Sequence, residues 1–292
     1  MAETARDQWA EWLLRDRYGG DPAQAQAMIA ALAPVREKVL ANVGLQPGDT
    51  LLDVGCGDGL IAFGALPLVG ATGAVIFSDI SQDLLDHCRG LAAESGVLDR
   101  CRFLRAPAAD LSAVAPDSVD AVTTRSVLIY VAAKQAAFAE FYRVLKPGGR
   151  LSIFEPINRF GGPATRLGGL DLTPVQEIAD KIFAVYDRLQ PFDSDPMLDF
   201  DERDLLTLAE QAGFREIHLE YQAAIKPMVP IAPWDVAIRI PGNPRVPSLG
   251  EVLDTVLTPD EAARFIAYYR PFYENGQGIA RSAVAYLWAV KQ

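Results

Sequence analysis

Residues 51–66 read LLDVGCGDGLIAFGAL. An apolar run ends in the carboxylate Asp53, Gly55, Gly57 and Gly59 follow at alternate positions, and an apolar helical pattern resumes at Leu60. Glycines in such a turn let the backbone approach a ligand with no Cβ in the way. In open parallel sheets the ligand sits at the carboxyl ends of the strands, where the first strand-to-helix turn makes the floor of the site. The phosphate fingerprint GxGxxG needs glycine at position 60, where Leu60 stands, and no GxxxxGK[ST] loop is present. A cationic ligand carrying an amino acid suits the loop better, because Asp53 can meet an ammonium group directly or through water.

Other chemistry-bearing residues lie downstream. Asp79 ends the run AVIFSD and serves either a ligand or the start of the helix SQDLLDHC. Cys56, inside the glycine loop, contributes a small side chain and a backbone amide, not thiol chemistry. Tyr130 and Glu155 are the candidate catalytic groups: Tyr130 either presents its hydroxyl to a pocket or packs beneath a cap, and Glu155 either faces the pocket or anchors the following loop. Arg125 and Arg159 can bind an acidic substrate or serve as surface and inter-loop partners. The two histidines are placed elsewhere, His87 on a helix among leucines and His218 in the strand REIHLEY.

These residues need a frame. Between positions 50 and 155 short apolar runs (LLDV, AVIFSD, CRFLRA, VDAVTT, RLSIFE) alternate with segments of helical period. That rhythm predicts a parallel sheet covered by helices on both faces. Residues 3 to 43 read as two helices, the first ended by Tyr18-Gly19-Gly20 and the second opened by Asp21-Pro22, with Pro34 a break in the second. A helix is expected near 174–189, and another from Asp201 to a cap at Gly213, with REIHLEY and RSAVAYLWAV as strands. The organisation expected is an N-terminal helical cap over 1–43, a core over 44–156, a cap insertion over 157–200, a core helix and strand over 201–222, a second cap insertion over 223–278 and a final core strand over 279–292.

The 292 residues are half hydrophobic and 22% charged, enough to bury a full core. A net charge of -11 argues against nucleic acid or an anionic membrane surface as partner. Three irregularly spaced cysteines suggest reduced thiols in a cytoplasmic protein, with no disulfide framework and no metal site. The charged N-terminus lacks a signal core, and no apolar run approaches a membrane span.

LLDVGCGDG, with AVIFSDIS, VDAVTTRSVLIYV and LKPGGRLSIFEP after it in order, resembles the class I S-adenosylmethionine-dependent methyltransferase family. The likeness is close over roughly 45–155 and loose over 200–222 and 281–290. It implies an α/β fold, a doubly wound, mostly parallel seven-stranded sheet whose last strand is antiparallel, with helical cap segments and S-adenosyl-L-methionine as cofactor. It implies that Asp53, Gly55, Cys56, Gly57 and Gly59 floor the cofactor site, that Asp79 takes the ribose hydroxyls and that Ile80 packs on adenine. Pro107 stands where the family has an acid, so adenine recognition falls to the Ala108 amide, with Asp110 as a possible substitute. Arg125 and Ser126 lie beneath the methionine part, Tyr18 closes over it, and Ser126 with Arg159 reaches the substrate. The implied function is methyl transfer to an oxygen or nitrogen of a small-molecule metabolite in a capped pocket. The alternatives are a peptide or carbon target, a non-catalytic cofactor-binding protein and an NAD-type oxidoreductase; oligomeric state is open.

Overall fold

A computed structural model describes residues 6–292. Seven strands form one sheet: β1 (Thr50–Val54), β2 (Ala74–Asp79), β3 (Cys101–Arg105), β4 (Val119–Arg125), β5 (Leu145–Pro156), β6 (Arg215–Pro227) and β7 (Ile279–Val290). Their order is β3-β2-β1-β4-β5-β7-β6. The first five pair in parallel, and β7 inserts antiparallel to both β5 and β6. The strand order reverses beside β1, which places a crevice at the carboxyl ends of β1 and β4.

Both faces are covered, so alternate residues of one strand enter two different cores. Leu52, Ile76 and Val122 face Phe138 and Phe141 of one helix and Leu205 of another. Leu51, Val75 and Phe77 face Val39, Ile61 and Leu85 on the other side. The helices are α1 (Gln8–Leu14), α2 (Pro22–Ala31), α3 (Ala33–Val43), α4 (Leu60–Val69), α5 (Gln82–Glu94), α6 (Lys134–Val144), α7 (Gln176–Leu189), α8 (Glu202–Ala212), α9 (Trp234–Ala237), α10 (Leu249–Val256) and α11 (Pro259–Glu274). Helices α7, α10 and α11 build a separate apolar cluster around Ile182, Leu253 and Phe265.

Local chemistry sets the boundaries. Asp201 and Asp204 form a capping box at the start of α8, and Gly213 ends it at φ 104°. Asp7 caps α1 through the N–H groups of Trp9 and Ala10, and its other oxygen accepts the Ser81 hydroxyl at 2.7 Å. That bond, with Ala10, Leu13 and Leu84 packed together, docks α1 on the start of α5.

Two expectations are corrected. Three helices, not two, fill the N-terminal segment, because Pro34 is accommodated in the first turn of α3 and the chain breaks just before it; the expectation for residues 3–5 lies outside the described residues. Strand β6 continues six residues past REIHLEY, to Pro227 opposite Ile279. Most of that extension is exposed, so ladder hydrogen bonding to β7 carries it, and side-chain alternation gives no sign of it. Among the described residues no helix is long and apolar enough to cross a membrane.

Candidate active site

A cavity of about 600 Å³ opens over the carboxyl ends of β1, β2 and β4. Gly55 and Gly57 form part of its floor, with Asp79, Ile80 and Ala108 beside them. All three loop glycines have left-handed backbone, φ 65°, 55° and 84° at Gly55, Gly57 and Gly59, a conformation that costs any other residue. Space is short as well: a Cβ on Gly55 would overlap Val127, and one on Gly57 would lie 2.9 Å from Leu13 of α1. Protein atoms therefore fence the loop from behind and above, leaving its backbone to the cavity.

The carboxylate at the tip of β2 holds this loop. Asp79 accepts the Gly57 N–H and the Ser81 N–H, each at 2.9 Å, and burial raises its pKa. It lines the cavity together with Ile80, which is 44% exposed.

Asp53 and Cys56 do not reach the cavity. Asp53 is 2% exposed, and its oxygens accept the Thr123 hydroxyl at 2.8 Å and the Ala62 N–H at 3.2 Å. It straps β1 to β4 and to the first turn of α4, and burial pushes its carboxyl up to about 7. The Cys56 amide, expected to serve the cofactor, is donated to the Ser78 carbonyl at 2.9 Å, and its thiol is buried toward Cys88. Gly59 too is set back from the cavity and borders the neighbouring cleft.

Arg125 and Ser126 both line the cavity. Ser126 sits at φ 57°, a strained conformation for a residue with a side chain. Arg125 is largely buried, makes no hydrogen bond or ion pair among the described residues, and has its pKa lowered by that burial, with Asp58 opposing. Tyr18 is 4% exposed and borders a neighbouring cleft with Asp58 rather than the cavity itself. Its hydroxyl, within electrostatic reach of Asp58 and Arg125, has no hydrogen-bond partner among the described residues.

The two candidate catalytic groups part company. Tyr130 lines the cavity, edge-on to Trp9 at 4.9 Å between ring centroids, and burial pushes its hydroxyl up to about 12. Glu155 is fully buried and accepts three backbone N–H groups, from Val127 and Leu128 at 2.9 Å and from Ile129 at 3.3 Å. It anchors the loop after β4 and does not face the pocket, correcting its assignment as a catalytic residue. Arg159 is corrected too: exposed, it donates to the Leu198 carbonyl at 3.0 Å and lies over Phe192, outside the cavity. Its neighbour Asn158 is the lining residue. Asp110 is exposed and accepts the Ser112 N–H, so it offers nothing to the cavity where Pro107 replaced the usual acid. His218 stacks on Trp288 at 5.1 Å on the outer strand pair, and His87 borders the neighbouring cleft.

The roof comes from segments whose role is invisible locally. Trp9, Trp12 and Arg17 descend from the N-terminal segment, and Pro241 and Arg245 from the chain between α9 and α10. The Trp12 indole donates to the Pro241 carbonyl at 3.0 Å, latching the two together. Sequence reasoning missed Arg17 and Arg245; the only signal for Arg17 is its place beside Tyr18, and nothing near Arg245 marks it.

Residues 51–149 match the family described as "Methyltransferase domain". The ubiquinone/menaquinone biosynthesis C-methyltransferase UbiE of Marinomonas sp. is 34% identical over 120 residues, 41% of this chain and 47% of that protein. The chain thus aligns with about half the length of the curated relatives it matches. Among solved structures, phosphoethanolamine N-methyltransferase 2 of Haemonchus contortus, in complex with S-adenosyl-L-methionine, superposes with a TM-score of 0.55 at 16% identity, covering 99% of this chain and 60% of that one. The YcgJ protein of Bacillus subtilis gives 0.54 at 16% identity, covering 88% and 97%. At such identities these structures speak for the fold, while the glycine loop and its neighbours fall inside the matched residues. Residues 51–149 are thus similar to a methyltransferase domain, and the whole chain shares the fold of those solved structures.

Proposed function

We propose that the cavity binds S-adenosylmethionine and that the chain transfers its methyl group to a small organic molecule held beneath the Trp9–Trp12 roof. The observation that carries the reading is the meeting, at the switch point of the sheet, of bare Gly55 and Gly57 backbone with the Asp79 carboxylate. The residues fit the group. Asp79 offers a carboxylate to a ribose diol, Ile80 and Ala108 offer an apolar slot to a flat ring, and the Arg125 side chain has no hydrogen-bond or ion-pair partner among the described residues.

When bound, the sulfonium supplies an electrophilic methyl group with a neutral thioether as leaving group. The protein's share is alignment and exclusion of water. Among the described residues the cavity wall holds no histidine, no lysine and no carboxylate besides Asp79. Tyr130, held near 12, keeps its proton at neutral pH and can donate a hydrogen bond but not remove a proton. The acceptor is then an oxygen or nitrogen that brings its own available electron pair. Carbon is the second reading, favoured by the 34% identity to a C-methyltransferase.

The N-terminal helices and the two insertions act together as the cap, and the cavity's size suits a metabolite rather than a folded macromolecule. The net charge of -11 speaks against nucleic acid, and three unpaired cysteines suit a cytoplasmic setting. The test is incubation of pure protein with methyl-tritiated S-adenosylmethionine and a deproteinised cell extract. Label should enter a small-molecule fraction; label confined to added protein or RNA, or no cofactor binding by calorimetry, would refute the reading.

A further inference from the structure

The cavity wall carries three guanidinium groups, Arg17, Arg125 and Arg245, against the single carboxylate of Asp79. That carboxylate is already engaged by two backbone N–H groups. S-adenosylmethionine would bring a sulfonium, an ammonium and one carboxylate, a net positive charge, into a wall that is already positive. Arg17 and Arg125 are part-buried and Arg245 reaches solvent, so an anion entering beneath the cap would meet an excess of positive charge and complete the site.

The three arginines are not equivalent. Arg125, at the end of β4, feels Asp58 and Tyr18 on the glycine-loop side. Arg17 and Arg245 come from the two roof segments and both reach Tyr130 electrostatically. Arg17 lies 5.2 Å from the Trp12 ring centroid and 5.9 Å from that of Tyr18, and makes no hydrogen bond or ion pair among the described residues. Arg245 lies 5.7 Å from the Tyr130 ring and donates once, to the Tyr130 carbonyl at 3.2 Å, which leaves most of its five-donor fork unused. Aromatic faces hold both groups without neutralising them.

We infer that the methyl acceptor is an organic anion, its carboxylate or comparable oxyanion taken by Arg17 and Arg245 beside Tyr130. This rests on the reading of the cavity as a methyl-transfer site. It accounts for two features at once. The cations sit on the cap, the part that covers the substrate, and when the held oxyanion is itself the methyl acceptor the wall needs no general base, because its oxygen attacks the methyl carbon with no proton to lose as the thioether leaves. Guanidinium recognition of a planar oxyanion also fixes its orientation, through paired hydrogen bonds.

The test uses two probes of one shape and different charge, 2-naphthoate and 2-naphthamide. Each is titrated into the 292-residue protein loaded with S-adenosylhomocysteine, and the heat of binding is followed by isothermal titration calorimetry. Naphthoate should bind about tenfold more tightly or better, the scale of one charge-assisted contact. The Arg17→Gln/Arg245→Gln double variant should lose most of that preference and keep its affinity for S-adenosylhomocysteine, with circular dichroism confirming its fold. Equal affinities for the two probes, no detectable naphthoate binding, or a preference that survives in the double variant would each overturn the inference. Failure of the wild-type protein to bind S-adenosylhomocysteine would instead overturn the methyl-transfer reading; the two probes can then be compared on the unloaded protein.

Discussion

Gly57 donates its backbone N–H to the Asp79 carboxylate at 2.9 Å, across 22 residues of chain. One residue brings the bare backbone, the other the charge, and the bond between them makes the tips of β1 and β2 a single unit. Since Asp79 also accepts from Ser81 at the start of α5, the loop, the strand and the helix that carries α1 are mechanically joined.

Asp79→Ala is therefore expected to weaken S-adenosylmethionine binding by about 1.5–3 kcal/mol, the scale of hydrogen bonds to a charged group. Isothermal titration calorimetry measures it, with circular dichroism to show the fold retained. Unchanged affinity would mean that the carboxylate holds the loop and touches no ligand.

Gly55→Ala should destabilise the protein by about 2–4 kcal/mol, combining a left-handed backbone with overlap on Val127. In a double-mutant cycle with Val127→Ala the overlap should be relieved and the backbone cost should stay. Urea unfolding of the four proteins reads both. Strict additivity would show that the two side chains do not compete for one space.

Replacing Glu155 by Gln leaves three N–H donors facing one carbonyl oxygen and an NH₂ group. We expect a loss of about 1–3 kcal/mol in unfolding free energy, with S-adenosylmethionine affinity reduced little. A protein of unchanged stability that had lost turnover would show that this carboxylate works on the substrate after all.

The buried carboxyls give the pH dependence a sign. Asp53 and Glu155 are both pushed up to about 7 from 3.8 and 4.5, burial outweighing their hydrogen bonds. The folded state thus holds protons that the unfolded chain has released. Their contribution is whole below about pH 4 and is lost as pH rises through 7. Asp53→Asn, uncharged throughout, should fall further behind the wild type at pH 5 than at pH 8. Parallel unfolding curves at the two pH values check this, and a gap that widens with pH would reverse the assignment.

Reading the chain in one dimension works where a role is set by near neighbours. The glycine loop is legible because three left-handed positions in five residues demand glycine. Asp79 is legible because a strand ends and a capped helix begins around it. Glu155 is not: its position at the end of β5 gives its distance from the site, while the choice between pocket and core depends on the loop from Val127 to Ile129, which folds under it. Asp53 misleads in the same way, since both a ligand and the Thr123 hydroxyl would favour a carboxylate there.

The alternation of strands and helices, the glycine loop and the acid that follows it are legible along the chain alone. All of these arise from periodicity and backbone preference over a few residues. Which charged groups share the cavity emerges only on folding. Arg17, Arg125 and Arg245 belong to three distant segments, and their convergence on Tyr130 follows from docking α1 on α5 and latching Trp12 to Pro241. Those contacts depend on surfaces that exist only once the sheet and its cap have closed.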